Sequence, residues 1–279
     1  MTTALDAAEA DHALKSKHRA MWALGDYAAL ASEVIPGLGA NLVEACGIRR
    51  GMRTLDVAAG PGNAAIPAAL AGASVVASDL TPELLETGRL EAARRGAELE
   101  WRQADAEALP FADGEFEVVL SCVGVMFAPH HQASADELVR VCRPGGTIGL
   151  ISWTPQGFVG EMLATMKPYA PAPPPGAQPP PLWGQEEHVS ALLGERVTDL
   201  AMRRQAARVS CFATPEEFRD RFKTCYGPTV AVYRGIAEDP ERVAALDHAL
   251  ADLARRHDLG TTSTVMDWEY LLLTARRRS

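Results

Sequence analysis

The sequence predicts an α/β fold built around a mainly parallel β-sheet. Short apolar strands alternate with helices over about a hundred residues, starting at Thr54 and ending at Trp153. The first strand runs directly into a glycine-rich turn, Gly60-Pro61-Gly62, and the second ends on a carboxylate, Asp79. Ligands of parallel sheets bind where such strands end, so these observations predict a nucleotide-binding crevice.

Three helices are expected before the sheet begins. The segment Ala7–Leu24 is rich in Ala, Leu, Lys and Glu and is stopped by Gly25. Asp26 is a candidate N-cap for a second helix that ends near Pro36, and a third is expected over Leu38–Cys46. The chain therefore enters the sheet from a helical N-terminal segment.

Seven strands are predicted from apolar runs that turn residues punctuate. They cover residues 54–57, 74–77, 98–103, 116–121, 147–153, 203–212 and 268–275. Between and after them, helices are expected from the glycine turn to Ala71 and over residues 82–95, 135–142, 215–226 and 240–257. Pro82 occupies a first helical turn, where proline is favoured, and Thr214 is a candidate N-cap.

Residues 154–205 interrupt the alternation of strands and helices. Eight of the 19 prolines lie between Pro168 and Pro181, which is typical of extended, semi-rigid chain. A linker between two domains is one interpretation. Apolar side chains such as Phe158, Met162 and Trp183 flank the prolines, however, and favour an ordered insertion at the sheet edge.

Composition excludes several functional classes. The chain of 279 residues is 47% hydrophobic and carries a net charge of −9, so we expect a globular protein that does not bind nucleic acid. Five scattered cysteines without a C-x-x-C pair predict neither a disulfide framework nor a zinc site. The polar N-terminus and the lack of a long apolar stretch predict a cytoplasmic protein with no membrane partner.

The glycine turn and Asp79 together predict a cofactor site. Gly60 and Gly62 let a ligand approach the backbone, and Asp79, 17 residues after Gly62, can accept hydrogen bonds from ribose hydroxyls. Gly60-x-Gly62-x-x-Ala65 also satisfies the dinucleotide fingerprint, so a nicotinamide-dependent oxidoreductase is an alternative. Asp56 argues against it, because a carboxylate repels a pyrophosphate and suits a cationic ligand.

The ordered segments LDVAAGPGN, VVASD, ADAEALPF, FEVVLS and RPGG resemble the motifs of class I S-adenosylmethionine-dependent methyltransferases. The resemblance covers about residues 15–155 and is strongest to the branch with ubiquinone and menaquinone C-methyltransferases and actinobacterial small-molecule methyltransferases. It implies a Rossmann-like seven-stranded sheet whose last strand is antiparallel. The chain would then be one domain with a helical lid (1–50), a cofactor-binding core (51–153), a substrate-capping insertion (154–205) and a C-terminal completion (206–279).

The resemblance also implies roles for individual residues around S-adenosylmethionine. The methionine part would face Asp56 and the backbone turn, the ribose would bind Asp79, the adenine would contact Leu80, Asp105 and Ala106, and the sulfonium would lie near Ser121 and Cys122. Trp22 and Tyr27 would reach the cofactor from the lid. The turn itself comprises Ala58, Ala59, Gly60, Gly62 and Asn63, and many relatives have Gly and Cys where this chain has Ala58 and Ala59.

Several of these residues have simpler interpretations. Asp105 is equally well placed to cap a short helix, Cys122 is more often a small core residue, and Trp22 fits an apolar helix face. His130 or His131 is a candidate general base, although either could be a surface or capping residue. We expect no metal, because no carboxylate lies near this histidine pair at a helical ligand spacing.

The expected substrate is a small, apolar or aromatic organic acceptor. Aromatic side chains in and around the insertion would line its pocket. The candidates are Phe127, Trp153, Phe158, Trp183, Tyr226 and Tyr233. Methyl transfer by in-line displacement is the expected reaction, and a protein that binds the cofactor without methylating anything is a further alternative.

Overall fold

A seven-stranded β-sheet forms the centre of the computed structural model, which describes residues 4–279 and the side chains from Glu9 onward. The strands are β1 (Arg53–Val57), β2 (Ser74–Asp79), β3 (Glu100–Gln103), β4 (Phe116–Cys122), β5 (Cys142–Trp153), β6 (Val197–Phe212) and β7 (Thr264–Arg277). The helices are α1 (Ala4–Trp22), α2 (Tyr27–Val34), α3 (Leu38–Ala45), α4 (Ala65–Leu70), α5 (Pro82–Arg94), α6 (His131–Val141), α7 (Phe158–Met166), α8 (Glu186–Leu193), α9 (Pro215–Cys225), α10 (Gly227–Gly235) and α11 (Pro240–His257).

The strand order is β3-β2-β1-β4-β5-β7-β6, and the prediction of a mainly parallel sheet with an antiparallel last strand is confirmed. The first five strands pair in parallel, with Leu55 of β1 opposite both Val76 and Val119. β7 inserts antiparallel between β5 and β6. Strands β1, β2 and β4 are buried almost throughout, as expected for a sheet covered on both faces.

The chain order reverses between β1 and β4, so the carboxyl ends of these strands leave a crevice between them. The glycine turn follows β1, and Asp79 ends the adjacent β2. Residues 122–130 follow β4 at the same edge. Three loops that are distant in sequence therefore converge at this edge of the sheet.

Helix α3 packs against the start of α4 at very short range. Gly39 lies so close to the glycine turn that a Cβ there would be 1.7 Å from the carbonyl oxygen of Asn63. Only a glycine permits this approach, which anchors the N-terminal helices to the turn. The predicted cap of α2 is confirmed, since the Asp26 carboxylate accepts a hydrogen bond of 3.0 Å from the Ala29 amide.

Apolar side chains on both sides of the proline-rich stretch are packed in the core. Trp183 is buried, and Phe158 of α7 stacks on Trp268 of β7 with ring centroids 4.9 Å apart. Sequence patterns did not predict α7, α8 or α10, and the predicted strand at residues 203–212 begins at Val197. α10 is rich in β-branched and aromatic residues, which individually favour strands, and tertiary packing overrides that preference.

Helices α9 and α11 match their predictions closely. The predicted cap of α9 is confirmed, since the Thr214 hydroxyl accepts a hydrogen bond of 3.1 Å from the Glu217 amide. Helix α11 has the predicted bounds, and Asp239 caps it by accepting a hydrogen bond from Arg242. None of the helices within residues 4–279 combines the length and apolar character that a bilayer span requires.

Gly39→Ala tests the contact between α3 and the turn. Helix propensity alone would make alanine more stable by about 1 kcal/mol. Because its Cβ would collide with the Asn63 carbonyl, we expect instead a loss of about 1–3 kcal/mol in the free energy of unfolding, measured in urea. Gly37→Ala is the matched control, since no heavy atom lies within 4 Å of its new Cβ. A Gly39→Ala protein as stable as the wild type would contradict this packing.

Candidate active site

A pocket opens at the carboxyl edge of the sheet, with about 780 Å³ of empty space up to its mouth. Its walls come from α1, from the loop after β1, from the end of β2 and from the segments after β3 and β4. Predicted cofactor residues that line it are Trp22, Tyr27, Ala58, Ala59, Gly60, Asn63, Asp79, Leu80, Asp105, Ala106 and Cys122. Most of the residues assigned from the family motifs are thus brought together in one cavity.

Asp79 links the ends of β1 and β2. One carboxylate oxygen accepts a hydrogen bond of 2.8 Å from the Gly60 amide, and the other accepts one of 2.8 Å from the Thr81 amide. Burial raises the pKa of Asp79, and these amide hydrogen bonds oppose the rise. The side chain therefore holds the turn in place as well as lining the pocket. Asp79→Ala would leave these two amides without an acceptor, so it would disturb the turn as well as the pocket.

Asp56 lies beneath the turn and does not line the pocket. It is 1% exposed, and neither oxygen has a well-formed hydrogen bond within the described residues. Burial raises the pKa of Asp56 to about 8, with the nearby Ala65 amide lowering it and the charge of Asp79 raising it further. The carboxyl group is therefore protonated at neutral pH, and direct contact with a cofactor stays a prediction.

The two glycines of the turn differ in their surroundings. Gly60 faces the pocket, where its Cβ would meet only Tyr27 at 3.7 Å. A Cβ on Gly62 would lie 2.8 Å from the Trp101 ring, so Gly62 makes room for a core side chain and does not line the pocket. Ala58 adopts a left-handed conformation with φ of 53°. This strain is stored at the pocket wall.

Sequence reasoning missed a cluster of charges at the mouth of the pocket. The Lys15 ammonium lies 2.8 Å from Asp11, 2.6 Å from Asp105 and 2.9 Å from Glu107. Burial by itself would lower the pKa of Lys15, but hydrogen bonds with these three carboxylates raise it above its usual value. The only signal in the sequence was the helical position of Lys15, three residues before His18 and seven before Trp22, which all line the pocket.

Asp105 combines the two roles that the sequence left open. One oxygen accepts a hydrogen bond of 2.9 Å from the Glu107 amide and so shapes a turn, without a following helix. The other oxygen pairs with Lys15 and lies in the pocket wall. Asp11, Glu107 and His130 are close enough to share a cation, but the Lys15 ammonium already bonds both carboxylates.

The predicted histidine pair lies outside the pocket walls. His130 precedes α6, and its ring nitrogen Nδ1 lies 2.9 Å from a Glu107 oxygen. His131 is fully buried and pairs with His188 at 3.0 Å. Burial, together with the neighbouring His188 and His130, lowers the pKa of His131 to about 4. This placement offers no support for either histidine as a general base.

The remaining predicted residues divide into three groups. The Ser121 hydroxyl donates to the Val57 carbonyl and accepts from the Val125 amide, so it braces the strand ends behind the pocket. Phe127, Trp153 and Tyr226 line a second, apolar cavity next to the pocket. Residues that line neither cavity are Phe158, Trp183 and Tyr233, whose hydroxyl bonds Asp247.

Comparison with known proteins identifies the family. Residues 55–150 match the model of a methyltransferase domain. An uncharacterized protein from Mycobacterium tuberculosis is 55% identical over 260 residues, which are 93% of this chain and 94% of that protein. Residues 55–150 therefore form a methyltransferase domain of this family. A demethylmenaquinone methyltransferase from Renibacterium salmoninarum is 38% identical over 107 residues, 38% of this chain and 44% of that enzyme.

The methyltransferase fold is also seen in a solved structure. A Bacillus halodurans protein proposed to be a methyltransferase superposes with a TM-score of 0.57 at 20% identity, covering 86% of this chain and 99% of that one. At this identity the similarity concerns the fold. The turn, Asp79 and Asp105, which converge on one pocket, all lie within the residues that match the methyltransferase domain.

Asp56→Asn tests whether the buried carboxyl is protonated. An acid whose pKa is higher in the folded than in the unfolded protein stabilises the fold at pH values below its unfolded pKa. This stabilisation is lost as the pH rises from the unfolded pKa to the folded pKa. For Asp56 the window runs from about pH 4 to about pH 8. We expect Asp56→Asn and wild type to differ little at pH 5, and the variant to be the more stable at pH 8.5 by on the order of 2–4 kcal/mol in urea unfolding.

Asp113→Asn is the control for this titration, because Asp113 is exposed and pairs with Arg140 at the surface. Its effect on stability should not grow across the same pH window. A difference between Asp56→Asn and wild type that does not change with pH would contradict a protonated Asp56.

Proposed function

We propose that this chain transfers the methyl group of S-adenosylmethionine to a small, apolar or aromatic organic acceptor by in-line displacement. The observation that carries the proposal is the Asp79 clamp, a buried carboxylate that holds the Gly60 amide at the floor of the pocket. A carboxylate has about four acceptor positions, and two amides use two of them. The remaining two suit the paired hydroxyls of a ribose.

The pocket residues fit the cofactor from end to end. Asp105 and Ala106 would bind the adenine amino group and ring, with Leu80 beside them, and Asp79 would hold the ribose. The backbone of Ala58 to Gly60 would bind the methionine part of the cofactor, and Cys122 would lie near the sulfonium. Trp22 and Tyr27 would cover the cofactor from the lid side.

The charge of the pocket favours this ligand over a dinucleotide. Asp79 and Asp105 both line it, and the one lysine in its wall is already neutralised by three carboxylates. Such a site attracts a cation and repels a pyrophosphate. The nicotinamide alternative, which rested on the spacing of Gly60 and Ala65, therefore has no electrostatic support.

When bound, S-adenosylmethionine supplies an electrophilic methyl group on a positively charged sulfur. The task of the protein is to align the acceptor and exclude water. Burial raises the pKa of Tyr27 and of Cys122, so both stay uncharged at neutral pH. His18 is the one imidazole among the described wall residues, and burial lowers its pKa, which keeps it neutral. Positioning, without a charged nucleophile from the protein, is the expected basis of catalysis.

Calorimetric titration with S-adenosylhomocysteine tests the cofactor assignment. We expect a micromolar Kd, about −8 kcal/mol, with no binding of NADH or NADPH. Asp105→Asn should weaken binding about tenfold, because the amide keeps the shape and loses the charged acceptor. Asp113→Asn removes a carboxylate outside the pocket and should leave the Kd unchanged.

Two results would contradict the proposal. Binding of a nicotinamide nucleotide in place of S-adenosylhomocysteine would make the chain a dinucleotide-binding protein. Tight S-adenosylhomocysteine binding without transfer of a labelled methyl group to any apolar acceptor in a broad screen would favour the non-methylating alternative.

A further inference from the structure

A second cavity adjoins the cofactor pocket and has about 390 Å³ of empty space, which includes solvent at its opening. Its walls come from α2, the loop after β4, the end of β5, α7, α9 and β7, with Tyr226 just after α9. The lining residues are Tyr27, Leu30, Ala31, Val34, Ile35, Val123, Phe127, Trp153, Val159, Met162, Phe222, Tyr226 and Trp268.

The walls of this apolar cavity contain no charged side chain among the described residues. Trp153 and Phe222 both pack edge to face on Trp268, with ring centroids 5.9 and 5.8 Å away. An ion would find no oppositely charged side chain among the described wall residues, so the loss of its hydration would be offset only by neutral groups and would cost several kcal/mol. A neutral, largely apolar ligand meets no such cost.

A few hydrogen-bond donors interrupt the apolar lining. The phenols of Tyr27 and Tyr226 both line the cavity, with ring centroids 6.3 Å apart. Burial raises the pKa of each, so both hydroxyls keep their protons at physiological pH and can donate. The indole N–H of Trp268 is buried without a hydrogen-bond partner among the described residues. A ligand oxygen could therefore be recognised here without any charge.

The apolar cavity and the cofactor pocket share three wall residues, Tyr27, Val123 and Phe127. Val123 has a φ of 49°, a conformation that is rare for a β-branched residue. Its amide donates a hydrogen bond of 2.8 Å to the Ile151 carbonyl, which holds this strained residue at the boundary. Trp22 packs on both Phe127 and Tyr27, at 4.8 and 5.4 Å, and covers the same junction.

We propose that the apolar cavity is the acceptor site and that it selects an uncharged molecule through the hydroxyls of Tyr27 and Tyr226. This inference rests on the proposed function, because it takes the adjoining pocket as the cofactor site. The acceptor is an apolar body with one neutral oxygen or nitrogen that accepts a hydrogen bond from a tyrosine. Carboxylates and phosphates are disfavoured, because no positively charged side chain among the described wall residues offsets the desolvation cost of their charge.

Three probes of similar shape test the selection by charge. 4-Butylphenol is neutral with a hydroxyl, butylbenzene is neutral without one, and 4-butylbenzoate is an anion at pH 7.5. With S-adenosylhomocysteine present, we expect calorimetry to give a Kd of about 100 μM or tighter for 4-butylphenol. Butylbenzene should bind several-fold more weakly, and 4-butylbenzoate should not bind.

Ala31→Phe tests the location of the site. Ala31 is 3% exposed and lines the apolar cavity, so a phenyl group there occupies the ligand space. We expect the Kd of 4-butylphenol to rise at least tenfold. Ser32→Phe places the same ring on the exposed face of the same helix and is the matched control, with an unchanged Kd.

Tyr226→Phe tests the hydroxyl and does not depend on how Ala31→Phe folds. It keeps the ring that lines the cavity and removes only the donor. Loss of one neutral hydrogen bond should weaken 4-butylphenol about 3- to 10-fold and leave butylbenzene unchanged. Equal losses for both probes would contradict recognition by the hydroxyl.

A parallel titration with S-adenosylhomocysteine separates the two proposals. Tyr226 and Ala31 lie outside the cofactor pocket, so each variant should keep the wild-type affinity for S-adenosylhomocysteine. Failure of the wild type to bind S-adenosylhomocysteine would contradict the proposed function. Normal binding of it, together with no binding of 4-butylphenol or equally tight binding of 4-butylbenzoate, would overturn only the acceptor site.

Discussion

The buried carboxylate of Asp79 is the contact on which the site depends. Its two oxygens join the amide of Gly60, after β1, to the amide of Thr81, before α5. Without this acceptor both amides would be buried donors with no partner, at a cost of about 1–3 kcal/mol each. The clamp fixes the floor of the pocket before any ligand arrives, as a preorganised binding site requires.

Charged side chains are distributed unevenly between the cofactor pocket and the apolar cavity. Carboxylates surround Lys15 at the outer mouth, burial favours the neutral form of Asp56 beneath the turn, and none of the described residues in the wall of the apolar cavity is charged. In the proposed function, a cationic cofactor would bind next to this apolar compartment. Such a compartment strengthens electrostatic interactions and keeps water from competing with the acceptor.

The sequence predicted the sheet, the glycine turn and most of the pocket, because these features are local. Strand periodicity, caps at Asp26 and Thr214, and a carboxylate at a strand end are all set by neighbouring residues. Single aromatic residues were less predictable. Trp153 and Tyr226 line a cavity whereas Phe158 and Trp183 are core, and nothing in their local sequence distinguishes the two pairs.

By itself, the sequence determined the fold class and predicted the pocket at the carboxyl edge of the sheet, which Gly60, Asp79 and Asp105 line. Tertiary structure alone decided that Lys15 pairs with Asp105, that Gly62 makes room for Trp101, and that six segments enclose the apolar cavity. The physical reason is the distance along the chain over which each interaction acts. Hydrogen-bonded turns and strand periodicity act over a few residues, whereas a cavity is the space left when distant segments pack, and no segment encodes it alone.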